Sequence, residues 1–229
     1  MIFSSFFGKN NIRRKLLKHT HSQVMREYLQ TPFPSNKQLL NDVNIVSLDF
    51  ETTGLDIHKD RVVSFGLVNI IELGVDLSSS CHQLVKPNQS IPESSIVIHQ
   101  LTDNQLENGS DLDLVLPELL KKLSGKVMLA HNAKVELGFI NTMCQKLYDT
   151  DFVIPVIDTQ YLARRSLERQ NQAYKSNDLR LFNLRKSLNM PSYKAHNALM
   201  DAVATAELFL AMVSKISPKY DARLSDFLS

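Results

Sequence analysis

The spacing of hydrophobic positions changes several times along the chain, and each change marks an element. NIVSLDF (44–50) is rich in β-branched and aromatic residues and closes on acid, which predicts a strand. RVVSFGLVNIIEL (61–73) alternates, and VDLSSSCHQLVKP (75–87) reads as its hairpin partner across Gly74. The period then lengthens to that of a helix in DLDLVLPELLKKL (111–123), whose early aspartates suit the helix dipole. KVMLA (126–130) and FVIPVID (152–158) predict short buried strands, and between them a helix runs from an Asn132 N-cap to about Tyr148. Residues 159–169 and 178–188 predict two more helices, the second stopped by Pro191. A last long helix covers about 197–215. Three antiparallel strands followed by strands alternating with helices predict a mixed α/β sheet covered on both faces.

Ahead of this pattern, Ile12, Leu16, Leu17, Val24, Met25, Tyr28 and Leu29 recur at helical spacing. They predict one or two short basic amphipathic helices, separated from the body by TPFPSN (31–36), with Phe33 anchoring the segment. The expected organisation is a basic N-terminal extension over 1–42 and one domain over 43–229. The extension is either a packed decoration or an arm that docks a protein partner.

Composition narrows the setting. A hydrophobic content of 43% suits one full core, and no apolar run approaches the ~20 residues needed to span a bilayer. MIFSSFFGKN is too short and too polar for a secretory core, and Cys81 and Cys144 form no metal spacing. A reduced, cytoplasmic setting without a membrane is expected. The net charge of +2 is uneven: 1–42 carries seven basic residues against two acidic ones, and the rest carries nineteen against twenty-two. A slightly acidic body is poorly suited to holding nucleic acid by charge alone, unless bound cations bridge it to phosphates.

Two acidic patterns carry candidate chemistry. Asp49 and Glu51 lie two apart on a strand and therefore share a face, at the carboxyl end where α/β sheets place their sites. Such a pair is stable when a divalent cation sits between its oxygens. In AHNALMDAVATAEL (195–208), His196 precedes an alanine-rich helix, and Asp201 falls among apolar neighbours where a lone carboxylate is costly.

LDFETTGLD, HNAKVE and HNALMDAVATAE, in this order and spacing, resemble the three motifs of the DnaQ-like, DEDDh-type 3′–5′ exonucleases. This group includes the proofreading subunit of bacterial DNA polymerase III. IPESSIVIHQLTD (91–103) and VIDTQYLARR (156–165) resemble its linking segments, so the likeness covers about 43–215. It implies a ribonuclease H-like sheet. It also implies metal ligands Asp49, Glu51, Glu136 and Asp201, a general base at His196, and a terminal-nucleotide pocket lined by Thr52, Leu55 and His99. The family's aspartate is Glu136 here, its preceding phenylalanine is Val135, and its glycine after the loop histidine is Gln100. Asp158 occupies a structural position in the family, and His131 reads as a structural hydrogen-bonder.

The activity implied is metal-dependent hydrolysis of single-stranded or frayed 3′ ends of DNA, releasing nucleoside 5′-monophosphates with two Mg²⁺ or Mn²⁺ ions. Two alternatives share these motifs. One is an exoribonuclease acting on short RNA or RNA 3′ ends. The other is a catalytically weakened nucleic-acid-binding module, for which Glu136 is the best argument.

Overall fold

The computed structural model describes residues 8–86, 106–194, 196–219 and 221–229. The segment 91–103, with His99 and Gln100, lies outside them. The strands are β1 (Ile45–Thr52), β2 (Val62–Ile71), β3 (Gly74–Leu84), β4 (Val127–Ala130) and β5 (Val156–Asp158). The helices are α1 (Lys9–His19), α2 (Gln23–Gln30), α3 (Leu112–Leu123), α4 (Lys134–Tyr148), α5 (Thr159–Arg169), α6 (Leu181–Ser187) and α7 (Ala198–Ile216). No helix among the described residues is long and apolar enough to cross a membrane.

The sheet runs β3-β2-β1-β4-β5, with β1–β2 and β2–β3 antiparallel and β1–β4 and β4–β5 parallel. This is the expected mixed ribonuclease H-like sheet with helices on both faces. Two expected elements are shorter than their hydrophobic pattern. The run 152–158 pairs only from Val156, because Pro155 has no N–H to give a ladder and only its carbonyl takes part, accepting from Met128. The single helix expected over 178–188 is a 3₁₀ turn (Ser176–Leu179) followed by α6. The Asp178 carboxylate bonds back to the Lys175 N–H and Arg180 is extended, so the helix starts afresh.

Side chains alternate cleanly across β1. Val46, Leu48 and Phe50 enter a core with α2, α3 and α4, whereas Ile45 enters a second core with α7, α5 and the C-terminal Leu224 and Phe227. Ser47, Asp49 and Glu51 therefore face α7. That helix lies unusually close to the sheet. Ala198, Ala202, Ala204 and Ala206 are wholly buried, and the Ser47 hydroxyl donates to the Ala202 carbonyl at 2.7 Å. Gly66, the β2 partner of Asp49, is the point of closest approach: a Cβ there would lie 2.1 Å from the Leu199 backbone nitrogen. Gly66→Ala must push α7 off the sheet. It is expected to cost about 2–3 kcal/mol in chemical denaturation, as overpacking does, and to move Asp201 away from Asp49.

The described part of the N-terminal extension is a packed layer. Met25, Tyr28, Leu29 and Phe33 are buried in the core that α3 and α4 share with the sheet. The Tyr28 hydroxyl donates to the Val153 carbonyl at 2.8 Å, Thr20 and Thr150 bond through their hydroxyls at 2.8 Å, and the buried Arg13 guanidinium donates to the Leu29 carbonyl. Tyr28→Ala is accordingly expected to cost about 3–5 kcal/mol of unfolding free energy, the range for a large aromatic removed from a core. A loss below 1 kcal/mol would show that the layer is detachable.

Candidate active site

Where β1 ends, its pairing with β2 shifts register between Glu51 and Thr52. Such a bulge re-aims side chains and is common beside sites. Asp49 and Glu51 lie on the α7 side of this strand end, and Asp201 meets them from the first turn of α7. One carboxylate oxygen from each of the three lies within 4.8 Å of the other two. Asn197 caps α7, its side-chain oxygen accepting from Met200 N–H at 3.1 Å. His196, one residue earlier, has φ 66° and directs its backbone N–H to Asp201 Oδ2 at 3.1 Å. A left-handed histidine is uncommon, and strain of this kind collects at functional sites. His196 is exposed, and its backbone joins the cluster through Asp201.

Glu136 approaches from the other layer. The helix that carries it starts differently from expectation: Ala133, not Asn132, holds the cap position, and Asn132 is left-handed at φ 63°. The N–H groups of Asn132 and Ala133 both donate to the Asp158 carboxylate at 3.1 Å, and those of Gln160 and Tyr161 donate to it from α5. Asp158 thus serves two helix starts at once, the structural part expected of it. Phe139, Ile140, Met143 and Cys144 form the buried face of α4. Glu136 falls in line with Phe139, Ile140 and Met143 at helical spacing, so the stripe that buries them buries it too. It is 3% exposed, and its Oε2 meets no hydrogen-bond partner among the described residues.

The carboxylates strain one another. Asp49 is half-buried by surface area yet closely enclosed by protein, and this poor hydration pushes its carboxyl well above the usual range. The charges of Glu136, Asp201 and Glu51 push it further, Glu136 most strongly. Burial raises Glu136 to about 8, with the Asp158 charge adding to this and a bond from its own backbone N–H partly offsetting it. Crowded hard oxygens, an orphaned buried carboxylate oxygen and charges that oppose one another are what a divalent cation resolves. The donor set fits such an ion, with Asp49, Glu51 and Asp201 converging on one point and Glu136 beside Asp49.

The other predicted positions divide. Thr52 is buried and its hydroxyl donates to the Gly54 carbonyl at 2.8 Å, while Leu55, on the following turn, is 77% exposed. His99 lies outside the described residues. His131 packs with Nδ1 2.8 Å from Thr159 Oγ1, and burial lowers its imidazole to about 4 despite the Asp158 charge. It is neutral at ordinary pH, with its Nε2 buried. One residue escaped the sequence reading. His82 on β3 pairs with Gly66, which pairs with Asp49, so it lies on the site's face. Burial lowers its imidazole and the Glu51 charge raises it. In sequence it is one polar position of a strand, and only the pairing of three strands brings it here.

Residues 46–209 match the RNase T exonuclease family model. The protein named DNA polymerase III PolC-type from Thermotoga maritima is 32% identical over 192 residues, which are 84% of this chain and 13% of that protein. The nuclease domain of 3′hExo, a DEDDh family member solved with rAMP, superposes with a TM-score of 0.62 at 18% identity, covering 75% of this chain and 92% of that one. Exonuclease X, solved in complex with 5′ overhanging duplex DNA, gives 0.59 at 21% identity, covering 80% and 98%. The fold, the converging carboxylates and the family match agree. The chain belongs to the RNase T exonuclease family.

Proposed function

We propose that this chain is a metal-dependent 3′–5′ exonuclease that removes nucleotides from single-stranded or frayed DNA 3′ ends as nucleoside 5′-monophosphates. The observation that carries the reading is the convergence of Asp49, Glu51 and Asp201 from two elements, with Glu136 buried beside Asp49. Relatives named as DNA polymerase III support DNA as the substrate.

Two divalent cations, Mg²⁺ or Mn²⁺, held by Asp49, Glu51, Glu136 and Asp201 would supply charge that stabilises the attacking and leaving oxygens. The residues do the rest. His196 takes a proton from the attacking water, whose oxygen bonds to the terminal phosphorus. The bond from that phosphorus to the 3′ oxygen of the penultimate nucleotide breaks, that oxygen takes a proton from solvent to become the new 3′ hydroxyl, and the nucleoside 5′-monophosphate leaves while His196 returns its proton to solvent. The strained His196 backbone, bonded to Asp201, fixes the base relative to a ligand. Exposed Leu55 offers an apolar surface to the terminal base, and the family resemblance assigns Thr52 and His99 to the same pocket. The excess acid of the body is no obstacle, because bound cations reverse the local field.

The test uses the full chain with 5′-labelled DNA and RNA oligonucleotides of one sequence, with Mg²⁺, with Mn²⁺ and with chelator. Stepwise shortening of DNA from the 3′ end, lost on chelation, is expected. No shortening of either strand with either metal would sink the proposal, and faster loss of RNA would favour the exoribonuclease reading.

A further inference from the structure

The segment that leads into His196 is held by a charged bracket with a buried arginine at its centre. Arg185 on α6 is 1% exposed. Its Nη1 lies 2.9 Å from Glu207 Oε2 and donates to the Ala204 carbonyl at 2.8 Å, both on α7. Its Nη2 donates to the Pro191 carbonyl at 3.0 Å, and its guanidinium lies 4.6 Å from the centre of the Tyr193 ring. The Tyr193 hydroxyl donates to Glu207 Oε1 at 2.8 Å. Both oxygens of Glu207 are thus engaged, one by α6 and one by the segment.

We infer that Tyr193, Arg185 and Glu207 position His196, setting the 190–194 segment against α7 so that the base stands at a fixed distance from the carboxylate cluster. The inference rests on the reading of His196 as the general base. Three physical points support it. A buried arginine with a carboxylate is a poor way to glue two helices, since apolar side chains of similar volume serve as well or better. What apolar packing lacks is direction, and this guanidinium grips a carbonyl and an aromatic face of the segment while holding two acceptors on α7. The segment is also tied at its far end, where His196 N–H bonds Asp201 and Asn197 caps the helix. Finally, Glu207 lies six residues beyond Asp201 on one helix, roughly 9 Å along its axis. The bracket therefore references the base to the same rigid rod that carries a ligand. Tyr193 is three residues from His196, near enough for its displacement to reach the imidazole.

The experiment measures kcat and KM on a 5′-labelled oligonucleotide at saturating Mn²⁺, with thermal unfolding, for the full chain and three variants. Tyr193→Phe removes the bond to Glu207 and keeps the ring. Tyr193→Leu removes the ring as well. His196→Ala tests the underlying reading. Expected is a fall in kcat of about tenfold for Tyr193→Phe and more for Tyr193→Leu, with KM unchanged and both proteins folded at the assay temperature, because displacements near 1 Å cost up to about 10² in rate. Full kcat in Tyr193→Leu, or a loss matching only the unfolded fraction, overturns the positioning role. Full activity in His196→Ala overturns the general base itself, an outcome separable from the first.

Discussion

Replacing Asp49 by alanine abolishes cleavage and leaves the metal-free protein at least as stable as the parent. The two halves have one cause. Asp49 is the carboxyl most burdened by its neighbours, pushed well up by poor hydration and by Glu136, Asp201 and Glu51. Removing it relieves that repulsion when no cation is present. With a cation, the same residue is the acid on which the others converge, and its loss should lower the rate at least about 100-fold, the scale for deleting one charge-stabilising group from an enclosed site. A second readout needs no substrate. Mn²⁺ should raise the unfolding temperature of the parent, since it binds the folded state alone, and should do so much less for Asp49→Ala. A variant that cleaves at the parental rate, or that gains equal stability from Mn²⁺, would remove Asp49 from the site.

Glu136 gives the second large effect. Glu136→Ala should lower activity by roughly 10–100-fold, as removal of a group that supports a metal site does, whereas Glu136→Asp keeps or raises it. Its burial also predicts a pH dependence with a definite sign. The carboxyl rises from 4.5 unfolded to about 8 folded. The folded state therefore holds a proton that the unfolded state has lost. The stability this contributes is fully present below pH 4.5 and is lost as pH rises through about 8. Metal-free protein should lose stability across that window, Glu136→Gln should flatten the decline, and Mn²⁺ should reverse it at the upper end. An equal slope in parent and Gln variant would assign the effect elsewhere. A fully active Glu136→Ala would make the residue an ordinary helix-start acid.

Much of this protein is written in local pattern. The strand–hairpin–helix order follows from the period of apolar positions, a property of each segment by itself. The shared face of Asp49 and Glu51 follows from strand geometry, and the close approach of the last helix was foreshadowed by its alanines. The family likeness supplied the remaining candidates, residue by residue. Where local pattern failed, an interaction between distant segments was decisive. Pro155 shortens a strand because it has no N–H to give the ladder, and Asn132 leaves the cap position to Ala133, its left-handed backbone turned so that its N–H and that of Ala133 both meet Asp158 from β5. The buried stripe of α4 includes Glu136, so an acid that could have stood in water became a buried one near pKa 8. His82 and Gly66 enter the site only through strand pairing, and the Arg185 bracket only through the packing of α6 on α7. The sequence by itself determined which residues are acids and which elements hold them. Only the tertiary structure decided how far each is stripped of water and what charge stands opposite it, because hydration and Coulomb energy depend on neighbours in space.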